Sequence, residues 1–174
     1  MRAGLTGGLA LLLALAGCAP DVAFELARGK ALLSGAPGVA ADPATALRHL
    51  HGAAKKHSPA AAFHLGLLYR RGAPGVPVDH SAALRWLRMA ADAELPEAQF
   101  MLGQMLLAGE GTQPDVAQAR KWFEKAAEHD LPHANLELAM AYGRGDLGVT
   151  PDQTTAERYL MEAQHALKHR VAPP

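Results

Sequence analysis

The sequence predicts an all-α chain, a right-handed α-solenoid of about four helix-turn-helix repeats. Three observations predict it. Gly35, Gly72, Gly109 and Gly145 recur at intervals of 36 to 37 residues, and Asp42, Asp79, Asp115 and Asp152 follow them in the same order. Self-similarity at that period marks stacked helical units, none of which buries its apolar face alone. After each Asp, apolar residues fall at helical spacing: Ala83, Trp86, Leu87 and Ala90 stand at i, i+3, i+4 and i+7. Composition agrees. Hydrophobic residues make up 49% of the 174 residues and aromatics only 5%, with alanine prominent, which suits closely packed helices better than sheets. A repeat of this kind moves the functional question from a catalytic pocket to an extended surface.

Residues 1–17 stand outside that pattern. Met1 and Arg2 precede an apolar run from Leu5 to Ala16. It is too short for a bilayer-spanning helix, which needs roughly 20 residues, and fits the h-region of a signal peptide. The run ends in Leu15-Ala16-Gly17-Cys18, which resembles the bacterial lipobox. The resemblance implies cleavage before Cys18, lipidation of that cysteine with diacylglycerol, and an N-terminal acyl chain such as palmitate. Two or more chains make attachment to a membrane effectively stable. A plain signal peptide with an incidental cysteine is the alternative. Removal of 1–17 takes away only Arg2 of the 17 basic residues, leaving 16 against 17 acidic ones. Ala19, where Asp would favour inner-membrane retention in enteric lipoproteins, points to the outer membrane facing the periplasm. Residues 18–20 then form a lipidated N-terminus and short tether.

The repeat domain spans 21–170, divided at 21–58, 59–95, 96–131 and 132–170, with 171–174 as a frayed tail. In the second copy, Pro59 suits a first helical turn because its missing N–H is not needed there, and Ser58 is the expected N-cap. Helix A ends near Arg71, and Gly72 closes it in the αL conformation. Asp79 caps helix B by accepting from first-turn N–H groups. The third copy repeats this with Phe100, Leu102, Gly103, Asp115, Ala119, Trp122, Phe123 and Ala126. The fourth does so with Leu138, Ala139, Tyr142, Asp152, Ala156, Tyr159, Leu160 and Ala163. The first copy diverges most: Arg28 replaces the column of Leu65, Leu102 and Leu138, and His49 replaces that of Trp86, Trp122 and Tyr159. Polar substitution suits a terminal copy with one face in water. Gly29, Gly66, Gly103 and Ala139 are small, so another helix backbone is expected to approach them closely.

Ala61, Leu65, Gly66, Tyr69, Gly72, Gly75, Asp79, Ala83, Trp86, Ala90 and Ala91 together resemble the Sel1-like repeat, a relative of the tetratricopeptide repeat. The resemblance covers essentially the whole chain after Cys18, and in the third copy Leu106 replaces the tyrosine. It implies a non-enzymatic adaptor or scaffold that works through protein–protein interaction. Some bacterial members are stapled by disulfides, for which a single cysteine leaves no provision.

Chemistry-bearing patterns are sparse. Phosphate loops, nucleophile elbows and HExxH motifs are absent, so no catalytic residue is expected. Formal charge is balanced, which speaks against a nucleic-acid binder. Of the nine histidines, His165 and His169 lie at i, i+4 and His129 and His133 flank a turn. No suitably spaced carboxylate joins either pair, so solvated histidines are expected and no metal or other cofactor. Trp86, Trp122 and Tyr159 are expected in the core. Arg48, Arg85, Lys121 and Arg158 precede the aromatic column and form a basic row, read either as a solvated stripe paired with acids such as Glu124 and Glu162 or as a contact for anionic headgroups or an acidic partner. By analogy with tetratricopeptide grooves, outward positions of helix A include His64, Leu68, Met101, Gln104, Met105, Glu137 and Arg144. Leu68, Met101 and Met105 either form an adaptable peptide-binding surface or pack between adjacent copies. The partner is a protein of unknown identity, and no small-molecule substrate is evident.

Overall fold

The structure, a computed structural model, describes residues 21–171, with side chains to residue 168. Cys18 and the segment read as a signal peptide lie outside the described residues. Among the described residues eight helices follow one another: α1 (Val22–Ser34), α2 (Pro43–Lys55), α3 (Pro59–Arg71), α4 (His80–Asp92), α5 (Pro96–Ala108), α6 (Val116–Glu128), α7 (Pro132–Arg144) and α8 (Gln153–Val171). Each packs chiefly on its neighbours in sequence, and the tightest pairs are α1 with α2, α3 with α4, α5 with α6, and α7 with α8. The result is an all-α solenoid of four helical hairpins, stacked so that each B helix also meets the A helix of the next copy.

The punctuation follows from local chemistry. Asp42, Asp79 and Asp115 each accept from the backbone N–H three residues on, at 3.0, 2.8 and 2.9 Å. Asp152 accepts from Thr154 at 3.0 Å and Thr155 at 3.2 Å. Hydrogen bonding to the charged carboxylate holds Asp42, Asp115 and Asp152 below the usual aspartate range. Ser58 caps α3 through Ala61 N–H at 3.3 Å, and proline opens α2, α3, α5 and α7. Gly35, Gly109 and Gly145 end their helices in αL. Gly72 departs from that expectation: its φ of 68° is paired with a ψ of 172°. That turn leads the chain into a bridge in which Ala73 and Val76 exchange hydrogen bonds at 2.9 and 2.8 Å, and it tucks Val76 into the interior. The turns between copies carry His57, Glu94 and Asp130 at φ 60°, 59° and 55°, positions where a side chain costs about 1 kcal/mol relative to glycine.

The core runs along the stack. Leu50, Leu65, Leu87, Leu102, Met105, Phe123 and Leu138 are fully buried. The small column on helix A seats the large residue of helix B. A Cβ on Gly66 would lie 2.5 Å from Leu87 Cγ, and one on Gly103 would lie 2.7 Å from Phe123 Cε1. The nearest approach is therefore to a side chain, with backbone atoms just behind it at 3.3 and 3.2 Å. The expected close approach of a helix backbone is present, with the Leu87 and Phe123 side chains nearer still. The aromatic column is corrected. Trp86, Trp122 and Tyr159 are half-buried on the seams, because one step along a helix turns a side chain away from the face that buries Leu87 and Phe123.

Candidate binding surfaces

The expected helix A surface is only partly a surface. Leu68 is 6% exposed and Met105 is fully buried, so neither offers itself to a partner. They share a column with Ala31 and Ala141, apolar in every copy, which packs between hairpins. His64, Met101, Gln104 and Glu137 are half-buried, and Arg144 is exposed. His64 borders a recess of about 310 Å³ whose walls include Leu33, Pro43, Leu67 and Arg71. Burial, and secondarily the charge of Lys30, lowers the His64 pKa below the ordinary histidine value.

Met101 and Gln104 gather at an ion pair that the repeat pattern did not reveal. Arg70, near the end of α3, makes a two-pronged contact with Glu110 in the α5–α6 loop: Nε to Oε2 at 2.7 Å and Nη2 to Oε1 at 2.8 Å. Its remaining nitrogen lies 3.4 Å from both Gln104 Oε1 and Met101 Sδ. His80 Nδ1 stands 3.7 Å from the same carboxylate. The hydrogen bond from Arg70 holds Glu110 below the usual glutamate range and raises Arg70 in turn. This brace ties the second copy to the third.

The basic row lies on the exterior, with Arg48, Arg85, Lys121 and Arg158 all exposed. Its members have unlike surroundings. Arg48 donates to Thr45 Oγ1 at 3.1 Å. Arg158 pairs with Glu162 at 2.8 Å and lies over the Tyr159 ring at 4.2 Å. Glu124 pairs with Arg120 at 3.5 Å rather than with the row's own Lys121. Beside Arg85, a recess of about 360 Å³ is framed by His51, Tyr69 and Trp86. There His51 Nε2 and Tyr69 OH are 3.1 Å apart, and the His51 ring meets Trp86 edge-on at 5.2 Å. Burial lowers the His51 pKa, with Lys55 contributing. In the first copy His49, standing in the aromatic column, contacts Glu25 at 2.7 Å.

Among the described residues, no group of three or more His, Cys, Asp and Glu side chains is placed to hold a metal ion. His129, His133 and His165 are exposed, and the His169 side chain lies outside the described residues. No described helix is long and apolar enough to cross a membrane.

Fold and surface together define a helical-repeat protein whose recesses lie along the seams between copies. The chain belongs to the Sel1 repeat family, whose signature matches residues 20–58, 59–95, 96–131 and 132–163. Repeats of this family typically serve protein–protein interaction. Two solved structures are similar. A Sel1 repeat protein from Oxalobacter formigenes shares 31% identity and a TM-score of 0.77, over 84% of this chain and 58% of that one. A protective antigen present in uropathogenic Escherichia coli strains, displaying an SLR fold, shares 33% identity and a TM-score of 0.78, over 83% of this chain and 30% of that one. The chain thus spans 58% and 30% of the lengths of these two proteins. No curated protein matches it.

Proposed function

We propose that this is a bacterial lipoprotein, anchored through Cys18, whose Sel1 repeats bind a protein partner in the cell envelope without catalysing a reaction. The observation that carries the reading is the direct succession in sequence of a lipobox-like Leu15–Cys18 and four interaction repeats, the first helix starting at Val22. Ala19 favours the outer membrane, facing the periplasm. Mass spectrometry of the mature N-terminus tests the anchor. The expected species begins at Cys18 and carries diacylglycerol and an acyl chain; an unmodified Cys18, or cleavage elsewhere, contradicts it.

A second reading makes the chain a structural scaffold in the assembly of an envelope complex, such as a secretion or polysaccharide-export machine, with no discrete ligand. Its support is the spread of recesses of about 310 to 480 Å³ over several seams of the described residues. Co-purification separates the two. A single stoichiometric partner released by Met101→Glu supports a discrete binding surface, whereas a heterogeneous set unaffected by that change supports a scaffold. Met105→Glu is unsuitable for this purpose because it places a charge in the core.

A further inference from the structure

The seams between copies are built from the same columns, and their differences are informative. Between the third and fourth copies, Arg120 extends over the α7–α8 loop. Its guanidinium reaches the carbonyls of Leu147 and Gly148 at 3.4 and 3.2 Å, and Glu124 lies 3.5 Å away. There the guanidinium occupies the space over the loop with Glu124 beside it, and the recess of that seam, about 480 Å³, lies instead among Glu124, Glu128, Asp130, Arg158 and Glu162. One copy earlier, Leu84 stands in the column of Arg120 and Arg88 in the column of Glu124. The shorter side chain leaves space, and the acid has become a second base.

The space left is a recess of about 310 Å³ walled by Ser81, Leu84, Arg85 and Arg88 of α4, with Leu106 of α5 and Thr112 of the following loop. Arg85 and Arg88 lie at i, i+3 on one helix face and are both exposed. Neither has a hydrogen-bond or ion-pair partner among the described residues. The recess is held open by backbone. Gly111, at φ 75°, is pressed so closely on the first turn of α4 that a Cβ there would lie 2.7 Å from the His80 carbonyl carbon. The loop bearing Thr112 is thereby fixed against the helix bearing Ser81.

We infer that this recess receives an acidic side chain, Glu or Asp, from an extended segment of the protein partner. Two unpaired guanidinium groups supply the charge and the forked donors that carboxylates accept. Ser81 and Thr112 add hydroxyl donors at the rim. Leu84 and Leu106 give the floor an apolar surface matched to the methylenes of a glutamate stem, a feature that charge attraction to a bare anion does not require. The inference rests on the reading of the chain as a protein-binding module and narrows the partner to one with an exposed acidic segment.

The test uses the purified protein and a labelled ten-residue peptide of alternating Glu and Leu, read by fluorescence anisotropy. The comparison ligands are a Gln/Leu peptide, inorganic phosphate, and vesicles of phosphatidylcholine with phosphatidylglycerol. Wild type is expected to bind the Glu/Leu peptide, more weakly as salt rises. Arg88→Glu, which installs the residue of the next seam, and Leu84→Trp, which fills the space without adding charge, should each weaken binding by about tenfold or more. Arg28→Glu, the same charge reversal at an exposed base of the first copy, should change it less than about twofold. Unchanged thermal melts establish that the variants remain folded. Equal losses for Arg28→Glu and Arg88→Glu, equal binding of the Gln/Leu peptide, or binding of phosphate or vesicles without the peptide would each overturn the inference. A protein partner captured from envelopes equally well by wild type, Arg88→Glu and Leu84→Trp would overturn the recess while leaving the module reading standing.

Discussion

Leu87 and Leu160 occupy the same column in the second and fourth copies, yet the first is fully buried and the second 42% exposed. The second copy lies between neighbours on both sides, so Leu87 is seated on Gly66 and covered by the cluster that continues into α5. In the fourth copy Ala139 replaces the seating glycine, and no described helix lies over α8. Met161 and Leu167 on that helix are exposed too, as is Phe24 at the opposite end of the stack. A residue's column therefore fixes its direction, while the neighbouring copy fixes its burial. Stability in such a chain is held in the seams and falls toward the ends.

The contrast can be broken or sharpened by substitution. The largest effect is expected from Phe123→Ala or Leu87→Ala, each costing about 3 to 5 kcal/mol through lost transfer energy and a residual cavity. Leu160→Ala should cost less than about 1 kcal/mol, since much of that side chain already meets water. Urea denaturation monitored by circular dichroism measures both, and equal losses for Leu87 and Leu160 would break the comparison. Next, Gly103→Ala should cost about 1 to 3 kcal/mol, because the added methyl meets the Phe123 ring and has little room to relax.

A smaller effect belongs to the brace between the second and third copies. Glu110→Gln should cost about 1 kcal/mol, because both partners of the Arg70 pair remain about a quarter exposed and are partly screened. Since the folded protein holds Glu110 below its ordinary value of 4.5, the stabilisation is present above that pH and is lost as the pH falls through the depressed folded value. Glu110→Gln should flatten the stability profile in that acid window. A wild-type profile identical to that of the variant would contradict the brace. The smallest change is a gain: Glu94→Gly relieves a positive φ in an inter-copy turn and should raise stability by about 0.5 to 1 kcal/mol, net of the extra freedom of glycine in the unfolded chain.

What was legible in the sequence is what the repeat itself encodes. The Gly and Asp columns mark the ends of helices because a positive φ and a side-chain cap demand those residue types locally. The helical stripes mark burial because they recur at 3.6 residues. Burial on helix A was also available by comparing copies. Ala31, Leu68, Met105 and Ala141 are apolar in every copy, the sign of a packing column, whereas Ala27, His64, Met101 and Glu137 are mixed, the sign of a surface. For Leu68 and Met105 the single copies left a peptide-binding surface and packing between copies both open, and their burial agrees with the second. The Arg70–Glu110 brace was not legible, because it joins residues 40 apart and, among the described residues, occurs at one seam. Its trace is a departure from pattern: Arg70 stands where the other copies carry Leu33, Leu107 and Gly143. The recess at Arg85 and Arg88 leaves the same kind of trace, in Leu84 against Arg120 and Arg88 against Glu124. Residues that keep their column build the solenoid, and those that leave it distinguish one seam from another.

The central claim is that these seams serve a protein partner at the envelope. Crosslinking of the tagged chain in intact bacterial envelopes, followed by mass spectrometry of the captured species, tests it most directly. The account predicts one stoichiometric protein, crosslinked to residues at the seam between the second and third copies. Capture no greater than that of an untagged control, or crosslinks scattered evenly over the surface, would contradict it.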